Sequence, residues 1–112
     1  MTAIERTHLT EGTVAIAAAG TKSTSINCEG YAFGAIYTDA AIIGTALTFE
    51  VSKDGTTFVA AHDDAGTAIT IGTVTTSKRY RLPDKLFPCK ALKIVSGSTE
   101  TNGTTFTVEL EG

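Results

Sequence analysis

Residues 45–71, TALTFEVSKDGTTFVAAHDDAGTAITI, limit what this chain can fold into more than any other stretch. Leu47, Phe49 and Val51 alternate with Thr48, Glu50 and Ser52, the period of a strand with one buried and one wet face. The run stops at Lys53-Asp54-Gly55. Asp-Gly supplies the backbone conformations that a tight turn requires, and Thr57, Phe58 and Val59 are placed to return as the partner strand. A second turn signal, Asp63-Asp64-Ala65-Gly66, precedes a new alternation through Thr67, Ile69 and Ile71. This is hairpin architecture, and it contains no catalytic arrangement.

The rest of the chain repeats the theme. Residues 1–11 are polar and without periodicity, and are read as an exposed N-terminal arm ahead of a single domain at 12–112. Residues 13–19, TVAIAAA, fit a strand with Val14 and Ile16 on one side, or a short helix; the β-rich remainder favours the strand. Residues 21–28 fit a second strand, with Ile26 and Cys28 facing one way. Residues 31–38, YAFGAIYT, put Tyr31, Phe33, Ala35 and Tyr37 on one face. That aromatic stripe is expected to face inward as part of a sheet core, with a sugar-stacking or protein-contact platform as the alternative. Gly34 within it marks a bulge or a close approach.

Beyond the central hairpin, residues 74–82 read as a polar strand ending in the basic cluster Lys78-Arg79-Tyr80-Arg81, expected at a solvated sheet edge. Pro83 and Pro88 exclude a central strand between them, so a loop with a short helical turn anchored by Leu86 and Phe87 is predicted. Residues 91–96 alternate again, 97–103 read as a polar turn region, and 104–110 close the chain with Phe106, Val108 and Leu110 in step. The predicted fold is an all-β, antiparallel, jelly-roll-like sandwich of about eight strands. Its expected core is Phe33, Phe49, Val51, Phe58, Ile69, Leu92, Ile94, Phe106 and Val108.

Few arrangements of reactive residues arise. A nucleophile with its base, a carboxylate pair or a metal cluster would be needed for catalysis. His8 lies in the arm, and His62-Asp63-Asp64 would alternate between opposite faces of a strand rather than converge. Asp39 and Asp54 have simpler roles as turn formers. No enzyme activity, catalytic residue, metal site or cofactor is expected. Cys28 and Cys89 sit in no metal-ligand spacing, and two free thiols are expected ahead of a disulfide. With a net charge of −3, nucleic acid is not an expected partner. No stretch approaches the roughly 18 apolar residues of a membrane span.

The order LTFEVSKDGTTF, an Asp-Asp-x-Gly turn, RYRLPDKLFPCKALKIVSG and a final FTVEL strand resembles a β-sandwich module of tailed-bacteriophage virion proteins. Residues 45–110 carry the resemblance, and 1–44 fit as additional strands. The pattern also looks like discoidin-type and carbohydrate-binding jelly rolls. The resemblance implies a virion structural protein on the capsid surface, assembled in the host cytoplasm. Its implied role is that of a cement or decoration protein, binding the major capsid protein and copies of itself as a homo-oligomer. It fixes no contact residues. The alternatives are a tail or head-to-tail component and a carbohydrate-binding module, the latter disfavoured by the absence of Trp and by the inward assignment of Tyr31 and Tyr37.

Overall fold

The computed structural model describes residues 10–112. Ten strands are present there and no α-helix: β1 (Thr10–Ile16), β2 (Gly20–Lys22), β3 (Ile26–Asn27), β4 (Phe33–Tyr37), β5 (Leu47–Ser52), β6 (Val59–Ala60), β7 (Thr70–Ile71), β8 (Arg79–Arg81), β9 (Ala91–Glu100) and β10 (Thr104–Glu111). Pairing is antiparallel throughout. One sheet, called A, has the order β1-β10-β4-β8, and the other, B, has β2-β9-β5-β6. Because β3 also pairs with β9 and β7 also pairs with β5, two sheet positions are each filled by two short strands. Eight positions result. Numbered along the chain, they run 1-8-3-6 and 2-7-4-5, the double Greek key of a jelly roll.

The hairpin read from 45–71 forms, with an addition. β6 pairs with β5 through Glu50↔Ala60 and Val51↔Val59, while β7 returns to the same side of β5 at Leu47↔Ile71. The turn is built by side chains. Asp54 accepts the amides of Thr56 and Thr57, both at 2.9 Å, and the Ser52 hydroxyl accepts the Gly55 amide at 2.8 Å. Gly55 adopts φ +88°, a conformation costly for any residue with a Cβ. These amide bonds, first from Thr57, hold the Asp54 carboxyl well below the usual carboxylate range.

Between the sheets lie Val14, Ile16, Ile36, Leu47, Phe49, Leu92, Ile94, Phe106, Val108 and Leu110, all at or near full burial. Leu82 and Leu86 close one end, Leu86 from the short 3-10 turn Asp84–Leu86 predicted between the prolines. Of the expected core, Phe49, Ile69, Leu92, Ile94, Phe106 and Val108 are buried, and Val51 packs against them half-buried.

Phe33 and Phe58 depart from expectation. Phe33 is 44% exposed. Phe58 precedes β6 instead of joining it, and its ring lies under the Lys93 ammonium at 4.4 Å on the outside of sheet B. Strand β9 is also longer than expected, running on through the supposed turn region to Glu100. Thr10 and Glu11, assigned to the arm, belong to β1 opposite Leu110 and Glu109. The remainder of that arm, His8 included, lies outside the described residues.

Candidate binding surface

The inversion of β4 creates the surface of interest. Gly34 and Ile36 face the core: Ile36 is fully buried, and a Cβ built on Gly34 would come within 2.7 Å of Leu82 Cδ1. A side chain at 34 would crowd Leu82, Leu110 and the Glu109 carbonyl, which would have to shift to admit it. Phe33, Ala35 and Tyr37 therefore point outward, with the alternation the sequence suggested but on the opposite face. Two rings of the expected stripe, Phe33 and Tyr37, thus take the platform orientation, while Tyr31 packs part-buried against the core, as the inward reading expects.

Register places complementary groups on either side. On β10, Glu109 stands opposite Ala35 and Glu111 opposite Phe33. On β8, Arg81 stands opposite Ala35 and Arg79 opposite Tyr37. A trough of about 610 Å³ lies over Ala35, itself only 2% exposed beneath its neighbours, with Phe33 and Tyr37 towards its ends, arginines along one wall and glutamates along the other.

One end is held in place by a three-strand network. Tyr37 donates its hydroxyl hydrogen to Glu109 Oε1 at 2.8 Å, Arg79 Nε lies 3.8 Å from the same oxygen, and the guanidinium sits 6.0 Å from the Tyr37 ring centroid. Arg81 is less constrained, its Nη2 reaching Asp84 at 3.5 Å from an exposed position. The basic cluster is thus at a sheet edge, as expected, and two of its members also line the trough.

Sheet B presents a different exterior. Lys22 pairs with Glu50 at 2.7 Å, and Lys93 covers Phe58, so its charges and its ring are already engaged with one another. Near the end of β5, a smaller apolar hollow of about 350 Å³ is lined by Val51, Val59, Pro88 and Cys89 among others.

The remaining candidates are accounted for locally. His62 is exposed, with Nδ1 3.1 Å from the Ala60 carbonyl. Asp63 accepts the amides of Thr67 and Ala65 across a turn, and the Thr67 bond leads in holding its carboxyl below the usual range. Asp39 accepts from the Thr104 hydroxyl and the Thr105 amide. Burial opposes its ionisation, but these bonds and those from Ala41 and Ile42 outweigh it and lower its pKa. Among the described residues no three His, Cys, Asp or Glu side chains gather as a metal site. No helix there is long and apolar enough to cross a membrane.

Cys28 and Cys89 are free thiols, the first buried and donating to the Ile26 carbonyl at 3.6 Å, the second half-buried. The influence of Cys89, with burial, pushes the Cys28 thiol up, and that of Cys28 lowers Cys89.

A buried carboxylate escaped sequence reasoning altogether. Glu100, fully buried at the end of β9, accepts the amides of Ile43 and Gly44 at 2.8 Å each and the Ser96 hydroxyl at 2.7 Å. It fastens the connection between β4 and β5 to the far sheet. A Cβ on Gly44 would lie 2.1 Å from Ser96 Oγ, so this approach requires glycine.

Among solved structures, the chain is similar to the SPBc2 prophage-derived protein YomS, with a TM-score of 0.55 and 10% identity over 98% of this chain and 100% of that one. It also aligns with a chain from the disulfide-linked pili of Bacillus endospore appendages at 17% identity over 99% of this chain and 96% of that one; the TM-score of 0.37 is too low to establish a common fold. No family model and no curated protein matches the chain. The comparisons therefore show a sandwich fold shared, end to end, with a prophage-derived protein.

Proposed function

We propose that this chain is a structural protein of a tailed-phage virion and, more narrowly, a cement or decoration protein on the outside of the head. In this reading it binds the major capsid protein and further copies of itself, and works by contact without catalysis, cofactor, nucleic acid or membrane. The observation that carries the reading is the likeness in fold, along the whole of both chains, to the prophage-derived protein. The surface suits such a role. Val59 and Ile43 are 61% and 48% exposed at separate places, offering apolar anchors to more than one neighbour. Weak contacts of this kind become a strong association when a particle repeats them many times.

The test is co-sedimentation of the purified protein with phage particles of its source, alongside its solution mass by light scattering. Saturable binding to heads, with a higher temperature of head disruption, is the expected result. Particles that leave the protein in the supernatant would overturn the proposal, and binding confined to tails would move it to the tail.

A further inference from the structure

We propose that the trough on the outer face of sheet A is a binding site for a neutral saccharide. This inference does not depend on whether the protein also binds a capsid. It rests on the juxtaposition of an exposed aromatic ring, Phe33, with a charge-balanced double wall, Arg79 and Arg81 on one side of β4 facing Glu109 and Glu111 on the other.

The choice of ligand follows from what the walls exclude. An acidic peptide or a phosphate chain would meet the arginines but also two carboxylates, and a cationic ligand would meet the reverse. A plain apolar partner would strip water from the exposed Arg81 and from the second oxygen of Glu109 without replacing their hydrogen bonds, a cost that burial of one ring does not offset. A polyhydroxyl ligand meets both walls at once, because each hydroxyl donates and accepts. Its hydroxyls can accept from Arg81, an exposed group with five N–H donors, and donate to the second oxygen of Glu109, whose first is held by Tyr37.

The apolar face of a pyranose ring needs a flat surface beside those polar groups. Phe33 provides it, 44% exposed at one end of the trough. At the other end Tyr37 is fixed by Glu109 and Arg79, so donors and acceptors are oriented before a ligand arrives and little side-chain freedom is lost on binding. From Phe33 to Tyr37 the strand spans about 14 Å, and the volume of about 610 Å³ is in the range of small-ligand sites, so a short oligosaccharide fits better than a single ring.

The experiment uses the full chain on an array of neutral and acidic glycans, with pull-downs on chitin, cellulose and bacterial peptidoglycan sacculi. Expected is retention on at least one neutral glycan, released by the free oligosaccharide and nearly unchanged between about 50 and 500 mM salt. Phe33→Ala and Arg81→Ala should each weaken it by about tenfold or more, and Phe33→Tyr, which keeps the ring, should retain it. The substituted side chains are exposed, and thermal melting confirms that each variant is folded.

Three outcomes would overturn the proposal. In the first, no glycan is held above the level of a Phe33→Ala, Arg81→Ala double variant. In the second, only acidic glycans are retained, with binding lost as salt rises. In the third, the protein sediments as a dimer that the same double variant dissociates, which would show that a second copy covers the trough.

Discussion

Strand β4 has two faces of opposite character. Inward it shows Gly34 and Ile36, one too small to leave room and one fully buried; outward it shows Phe33, Ala35 and Tyr37. The apolar mass of this strand is greater on its outer side, yet packing follows fit rather than mass. The two carboxylates at Glu100 and Glu109 repeat the contrast. Both accept hydrogen bonds from this part of the fold, but Glu100 is closed off from water and satisfied by the chain itself, whereas Glu109 holds Tyr37 at the rim of an open trough. The carboxylate that secures the fold and the one that lines the trough thus sit on different sheets, one sealed from water and one open to it.

The carboxylates provide the largest test of that separation. Glu100→Ala orphans two amides and a hydroxyl and should cost about 3–5 kcal/mol in urea unfolding, while Glu109→Ala should cost under about 1 kcal/mol. Equal losses would erase the distinction. Within β4 itself, Ile36→Ala should destabilise by about 2–4 kcal/mol and Phe33→Ala by no more than about 0.5 kcal/mol. A Phe33 variant that unfolds as readily as the Ile36 variant would mean the ring is part of the core.

A smaller effect is expected in acid. Asp39, Asp54 and Asp63 all titrate lower in the folded chain than unfolded, so the unfolded state takes up protons first as pH falls. Their contribution is fully present above the unfolded pKa near about 3.9 and disappears as pH drops through the lower folded values. Melting temperature should therefore stay level from neutrality to about pH 5 and fall below about pH 4, less steeply in Asp39→Asn. The smallest perturbation concerns the thiols. A maleimide should label Cys89 in the native protein well before Cys28, and mild oxidation should join the two within one chain; equal labelling rates would show that burial does not separate them.

Much of this was legible in sequence because it was local. The Asp54-Gly55 turn, the Leu86 anchor between prolines and the alternation of Phe106, Val108 and Leu110 each depend on residues a few positions apart. The orientation of β4 was not. Both sides of YAFGAIYT carry apolar residues, and a one-residue shift exchanges them; what decides is the closeness of Leu82 to Gly34, a contact across 48 positions. A usable signal was present in the neighbours, since Arg79, Arg81, Glu109 and Glu111 occupy the polar phase of β8 and β10, and the residues level with them must face outward too. Glu100 was hidden for a related reason: its amide partners lie 56 and 57 positions away, and a Glu in a Ser-Thr-Glu-Thr-Asn run has the look of a loop.

The halving of two sheet positions into short strands bears on how copies of this protein meet. At the margins of sheet B, β2 with β3 and β6 with β7 offer only broken rows of backbone donors and acceptors. On sheet A, β8 is three residues long and carries two arginines, while the far end of β1 is already taken by Thr24, whose amide bonds to the Ala15 carbonyl at 3.0 Å. Among the described residues, a strand arriving from outside therefore finds its longest template along the start of β1, and only short or broken ones elsewhere. Crowding should bring such molecules together mainly through side chains on their faces, with the start of β1 the one described edge long enough for strand-to-strand addition.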